Sequence, residues 1–191
     1  MISQVLTEAP AYFNEKVRLP GQLWFEQNPQ VDRPKAYWQH CVSDLALAFR
    51  HLCGYSAMME MNGTVDHYLS CKNRPDLAYE WSNYRYVSGW LNSSKQNADD
   101  TVLDPFEVQD DWFELLLPSL LLTTTDHIPE EYREKAEFTL RRLKLINGTN
   151  VMRQRQAWYR LYNEGKIPLS GLQEVAPLLA KAIQRQQNSS F

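Results

Sequence analysis

Residues 65–95, VDHYLSCKNRPDLAYEWSNYRYVSGWLNSSK, decide how this chain is read. The stretch holds an acid–histidine pair, Asp66 and His67. Asn83 follows sixteen positions after the histidine, Asn92 nine further on, and Lys95 closes the run. An acid beside a histidine can seat a metal ion next to a general base, and two later polar side chains can orient that base and complete the metal's shell. Those are the parts needed to hydrolyse a phosphodiester bond.

Working outward, Asn62-Gly63 is a strong turn signal and predicts a hairpin between 55–61 and a return strand over 64–68. A loop is expected over 72–76, extended chain over 82–87 and a helix from about Gly89, so that Asp66 and His67 end a strand and Asn92 lies on the helix. Upstream, Trp38, Val42, Leu45, Phe49 and Leu52 recur at steps of four and three. They form one apolar stripe of a helix over about 35–52, opened by Pro34 and ended at Cys53-Gly54. The first 33 residues are rich in Pro, Asn and Gln without a period, and read as an irregular arm packed through Tyr12, Phe13, Leu23, Trp24 and Phe25. Downstream, a strand pair is expected within 106–122. Helices follow over 130–145, over 149–164 with Gly165 as terminator, and from Ser170 with Leu172, Val175, Leu179, Ala182 and Ile183 inward. The tail QRQQNSSF is expected to fray.

With 191 residues, 43% hydrophobic and 12% aromatic, the chain can bury one substantial core, which excludes a disordered protein. No window reaches the roughly 18 apolar residues of a membrane helix; 115–122 is too short and contains Pro118. The Met1 end has no basic segment followed by an apolar run, and Cys41, Cys53 and Cys71 form no CxxC pair. A cytoplasmic protein without a disulfide framework is therefore expected. The net charge of −3 is unlike that of a chain that grips nucleic acid by itself. Its distribution is uneven: ten acids and no Lys or Arg over 96–131, then nine basic residues against three acids over 132–166. Either a local basic surface or a partner would have to supply the grip.

The ordered set Asp66-His67, Asn83, Asn92 and Lys95, with the string LAYEWSNYR at 77–85, resembles the HNH (ββα-metal) nucleases. Within them it is similar to the McrA-like branch that includes PtuB-type HNH effectors of Septu and retron-associated antiphage systems. The likeness covers about 53–95 well and extends loosely to LDPFEVQDDWF at 103–113. It implies an α+β fold: a small ββα-metal unit embedded in a mainly helical single domain, with an arm over 1–34, the nuclease core over 35–110 and a helical region over 111–191. It also implies a metal-dependent endonuclease. His67 would be the general base, Asn83 would orient its imidazole, and Asp66 and Asn92 would ligate Mg²⁺ or Mn²⁺. Lys95, Arg85 and Lys72 would meet the nucleic-acid backbone, with DNA expected ahead of RNA. The implied partner is a PtuA-type ATPase, and the resemblance admits a homodimer within that complex; no membrane partner is implied.

One departure from the pattern matters. Where many members of this branch carry two CxxC pairs on a structural zinc, this chain has Cys53-Gly54-Tyr55-Ser56 and Ser88-Gly89-Trp90-Leu91. No structural zinc is therefore expected, with Tyr55, Trp90 and Leu91 read as an apolar substitute. The competing reading is an inactive HNH-like module that binds nucleic acid or protein. Among other candidates, His40, His51 and His127 read as surface residues, Cys71 as a small loop residue, and Trp81 and Trp90 as core. Arg153, Arg155 and Arg160 share a helix, as a nucleic-acid or partner contact or as a solvated face.

Overall fold

The computed structural model describes residues 1–188 except 30 and 32, and its N-terminal segment is helical. A π-helical turn, Asn14–Arg18, runs directly into α1 (Leu19–Gln27), which corrects the irregular arm. No period advertised it, because the buried face is short: Phe13, Val17 and Gly21 are covered whereas Leu23 stands exposed. Tertiary contacts hold it instead. Arg18 pairs with Glu80 at 2.7 Å, and Gly21 lies flat against the Tyr79 ring, where a Cβ would come within 2.4 Å of the ring carbons.

The predicted long helix is shorter and mixed. A 3-10 turn (Tyr37–Cys41) leads into α2 (Val42–Ala48), and the left-handed backbone of Arg50 (φ 54°) and His51 (φ 55°) breaks the chain away. The apolar stripe nonetheless points inward at Leu45, Phe49 and Leu52.

β1 (Thr64–His67) pairs antiparallel with β2 (Tyr84–Val87), setting Asp66 opposite Arg85 and His67 opposite Tyr84. α3 (Gly89–Lys95) follows at once. The helix from Gly89 is as expected, but the strand pairing is not: 64–67 pairs with 84–87 rather than with 55–61, so Asp66 and His67 end the first strand of the pair and not the second. Residues 55–61 contribute only an isolated bridge between Leu52 and Met59, and the strands are joined across 68–83. Gly63 has another job: its amide donates to Tyr86 Oη at 3.0 Å, and a Cβ would lie 2.4 Å from that ring.

β3 (Phe113–Leu116) and β4 (Leu121–Thr124) form a second antiparallel pair close to the expected one. α4 (Glu130–Arg142) and α5 (Thr149–Asn163) follow, with Gly165 left-handed after α5 at φ +67°. The single terminal helix read from Ser170 is two, α6 (Leu169–Val175) and α7 (Pro177–Asn188). Ala176 sits between them at φ −153°, ψ 65°, since a residue preceding proline is pushed out of the helical region. Of the QRQQNSSF tail, 184–188 continue α7 and 189–191 lie outside the described residues. Among the described residues no helix is long and apolar enough to cross a membrane.

The result is a single, mainly helical α+β domain with two two-stranded sheets. Two clusters of buried side chains meet at the β1–β2 ribbon. Val65, Tyr84 and Tyr86 pack with Phe13, Val17, Leu45, Phe49 and Trp81, while Val87 and Leu91 belong to the cluster built on α4–α7. In the second cluster Arg155 is buried without a carboxylate. Its guanidinium donates to the carbonyls of Leu120 (3.0 Å), Ile146 (2.9 Å) and Leu145 (2.7 Å), and burial pulls its pKa down to about 10. This corrects Arg155 as a surface contact, whereas Arg153 and Arg160 on the same helix are exposed. Arg155→Met should strand those carbonyls and lower stability by about 2–4 kcal/mol, read as a shifted urea midpoint; an unchanged midpoint would refute this account of the α5 packing.

Candidate active site

Side chains alternate along a strand, so Asp66 and His67 leave the end of β1 on opposite faces. Asp66 turns toward α3 and is 2% exposed. Its Oδ2 accepts from Tyr55 Oη at 3.2 Å and its Oδ1 from Lys95 Nζ at 3.2 Å. Lys95 is 0% exposed, and Nζ also donates to the carbonyls of His67 and Tyr68, each at 2.9 Å. Three acceptors require three donor hydrogens, so Lys95 is an ammonium. Both Asp66 oxygens are hydrogen-bonded, and the Lys95 ammonium is the charge that favours the carboxylate form. Burial pushes the Asp66 carboxyl upward, and Lys95 and Tyr55 oppose that rise.

Asn92 lies one turn before Lys95 on the same face of α3. Its Nδ2 donates to Val65 O at 3.1 Å, which anchors the amide beside β1. Oδ1 has no hydrogen-bond partner among the described residues, and is therefore the free end. Both candidate ligands are thus tied to the seam between β1 and α3, Asp66 through Lys95 and Asn92 through the carbonyl of Val65. As donors they suit a hard divalent cation, being one carboxylate and one amide oxygen. Among the described residues no three His, Cys, Asp or Glu side chains gather at a metal-sized site; the candidate set needs only one carboxylate, with Asn as its second ligand.

His67 faces the other way, half-buried, with its ring edge-on to Trp38 (4.6 Å) and Tyr84 (5.1 Å). Nε2 lies 2.8 Å from the carbonyl of Ala78. A carbonyl can only accept, so Nε2 carries the proton, and Nδ1, unpartnered among the described residues, keeps its lone pair. Burial drives the ring's pKa down to about 4, partly opposed by the bond to Ala78. The imidazole is therefore neutral at pH 7 and able to accept a proton.

Asn83 does not touch that imidazole, which corrects its predicted role. Its Oδ1 accepts from Leu69 N at 2.8 Å, and its Nδ2 donates to Leu69 O at 2.9 Å and Leu77 O at 3.2 Å. It staples both arms of the 68–83 loop, including the residue next to Ala78, whose carbonyl holds His67. Asn83 thus acts on the histidine through the loop. Tyr84 Oη also donates to Ala78 O, at 2.9 Å.

Two predicted backbone contacts are corrected as well. Lys95 is spent inside, as described. Arg85 is 3% exposed and makes a bidentate pair with Asp104 (Nε–Oδ1 2.6 Å), while its guanidinium sits over the Phe106 ring at 3.9 Å. Both charges follow the Asp66 face into the interior, where a charge persists only when paired. Lys72 is exposed on the loop. Sequence reasoning missed Arg142, exposed on α4, which donates to Lys95 O at 3.2 Å and so brings the basic 132–166 segment to the end of α3. It also missed the Ala78 carbonyl and the Tyr55 hydroxyl; a backbone group has no sequence signal at all.

The four positions matching the zinc cysteines come together. Cys53, Ser56, Ser88 and Leu91 are all buried, and Ser88 N donates to Cys53 Sγ at 3.4 Å. Among the described residues the hydroxyls of Ser56 and Ser88 have no hydrogen-bond partner. Tyr55 and Leu91 belong to the same buried cluster as Cys53, with Trp90 partly buried against it. Neither a family model nor a curated protein matches the chain.

Two outcomes test this geometry. Lys95→Ala should cost about 3–5 kcal/mol by leaving Asp66 buried and unpaired, and adding Asp66→Asn should restore much of it; simple additivity in denaturant titrations would contradict the pairing. For His67, the folded pKa of about 4 lies below the unfolded 6.5, so the unfolded chain binds more protons between those values. Stability should rise with pH through that window and be lost as pH falls from 6.5 toward 4. A histidine NMR titration with a midpoint near 6.5 would contradict the burial of the His67 ring.

Proposed function

We propose that the chain is a metal-dependent HNH endonuclease that hydrolyses nucleic-acid phosphodiester bonds, acting as the effector nuclease of an ATPase-coupled antiphage system. The observation that carries this reading is His67, a neutral imidazole tied at Nε2 and open at Nδ1, at the end of a ββα unit whose helix ties Asn92 to the carbonyl of Val65, the residue before Asp66. In this reading Nδ1 takes the proton of the attacking water. The Ala78 carbonyl fixes the tautomer and favours the imidazolium that forms. A bound Mg²⁺ or Mn²⁺, held by Asp66 and the Oδ1 of Asn92, would stabilise negative charge on the leaving oxygen. Lys72 and Arg142 are the exposed cations from which a phosphate backbone would be gripped.

The acidic total charge supports a partner, since two such cations give a weak grip. A PtuA-type ATPase is the proposed one, with DNA the proposed substrate ahead of RNA. One observation favours the competing, inactive reading: both oxygens of Asp66 are already engaged by protein groups.

Purified protein, with and without a PtuA-type ATPase, is to be incubated with DNA and RNA in Mg²⁺ or Mn²⁺. Cleavage should fall by at least about 10²-fold in His67→Ala, the range for loss of a general base, and should also fall in Asn92→Ala. The wild-type rate should hold down to about pH 5 on its acid limb, because His67 stays neutral there. Cleavage that survives His67→Ala would sink the mechanism.

A further inference from the structure

Counting charge around Asp66 exposes a problem for cation binding. The carboxylate contributes one negative charge and the Lys95 ammonium, 3.2 Å away, cancels it. Asn92 is neutral, His67 leaves β1 on the opposite face, and the nearby guanidinium of Arg85 is matched by Asp104. The immediate set sums to zero. A divalent ion gives up much of its hydration when it binds, and sites recover that cost chiefly through the negative charge of their ligands. Here the protein offers no net negative charge, and a positive one is fixed on the carboxylate the metal would use.

Lys95 cannot simply swing away. Its Nζ is fully buried and also satisfies the carbonyls of His67 and Tyr68, so leaving would strand two backbone acceptors and a buried charge. It remains beside any metal bound to Asp66. The other buried carboxylate nearby, Asp99, is turned to Ser70 and Asn73, so the ligand set itself has no net negative charge to offer, and the proposed substrate carries one on every phosphate.

We propose that Lys95 is a built-in counter-cation that keeps the Asp66–Asn92 pair from holding a divalent ion until a nucleic-acid phosphate supplies the missing negative charge. The inference rests on the nuclease reading above. Lys95 is then a positioning residue that couples metal binding to substrate binding, and the free protein is kept from acting as a metal-loaded nuclease. Coupling of this kind is reciprocal: the metal tightens nucleic acid by the same factor as nucleic acid tightens the metal.

The test titrates Mn²⁺ against the full chain and reads free Mn²⁺ by electron paramagnetic resonance. Three arms are compared: wild type alone, Lys95→Met alone, and the His67→Ala chain with and without a short duplex DNA or an RNA of the same sequence, uncut in that background. Removing one unit charge next to a divalent ion, or adding one, should tighten Mn²⁺ by at least about tenfold. A tenfold gain in the Lys95→Met arm, or in the nucleic-acid arm beyond the Mn²⁺ that the same nucleic acid takes up alone, supports the proposal. If Lys95→Met fails to fold, the nucleic-acid arm decides alone. Equal affinity in all arms, with Mn²⁺ bound, overturns the counter-cation and leaves the nuclease reading standing. No Mn²⁺ bound in any arm overturns both.

Discussion

A single buried ammonium sets the geometry of the ββα unit. Lys95 reaches from the last turn of α3 to the end of β1 and binds three oxygens there. A charge with no exposure must be matched in full, because each unmet donor or acceptor costs as much as several good packing contacts return. α3 therefore has one acceptable seat against β1. That seat also fixes Asn92, one turn earlier, whose amide reaches the carbonyl of Val65. The ribbon leaves little alternative: all four residues of β2 are buried, so the polar groups on its α3 side must pair among themselves, as Asp66 does with Lys95 and Arg85 with Asp104.

The opposite face is held by a different device. His67 is aimed by a backbone carbonyl, and that carbonyl belongs to a loop held shut by side chains. Asn83 clasps the loop from the β2 end. Asp99 clasps it from beyond α3, accepting from Ser70 N at 2.7 Å and from Asn73 Nδ2. Neither residue meets the imidazole, yet a change in either moves the carbonyl that fixes its tautomer. Roles that look chemical from the order of residues can thus be mechanical in space.

How much of this the sequence carried varies with the kind of interaction. Local signals were legible: the starts of α4 and α5 and the end of α5 follow from their Pro, Thr and Gly punctuation, and the inward stripe at Leu45, Phe49 and Leu52 from its period. Pairing between distant segments was not. Asn62-Gly63 has the composition of a hairpin turn, but Gly63 serves the approach of the Tyr86 ring, a contact made across twenty-three positions. The spacing of Asn92 and Lys95 places them on one helix face without saying whether that face meets solvent or strand, so a lysine that reads as a phosphate contact lies in the interior. Arg155 failed in the same way, because nothing in its neighbourhood reveals that three loop carbonyls converge on it. The N-terminal helix stayed hidden since its stability comes from Tyr79 and Glu80, far along the chain.

The split of Asp66 and His67 across the ribbon bears on the chemistry itself. In-line displacement at phosphorus places the entering oxygen opposite the departing one. A base and a cation serving the two ends of that line cannot share one side of the phosphate, and consecutive residues of a strand leave in opposite directions. An adjacent acid and histidine at a strand end meet this demand, provided each is locked. Lys95 and Tyr55 lock the acid, and Ala78 locks the histidine. In the proposed reaction, the terminus of β1 separates activation of water from stabilisation of the leaving group, and the buried polar contacts on either side keep the two from collapsing onto each other as an ordinary Asp–His hydrogen bond.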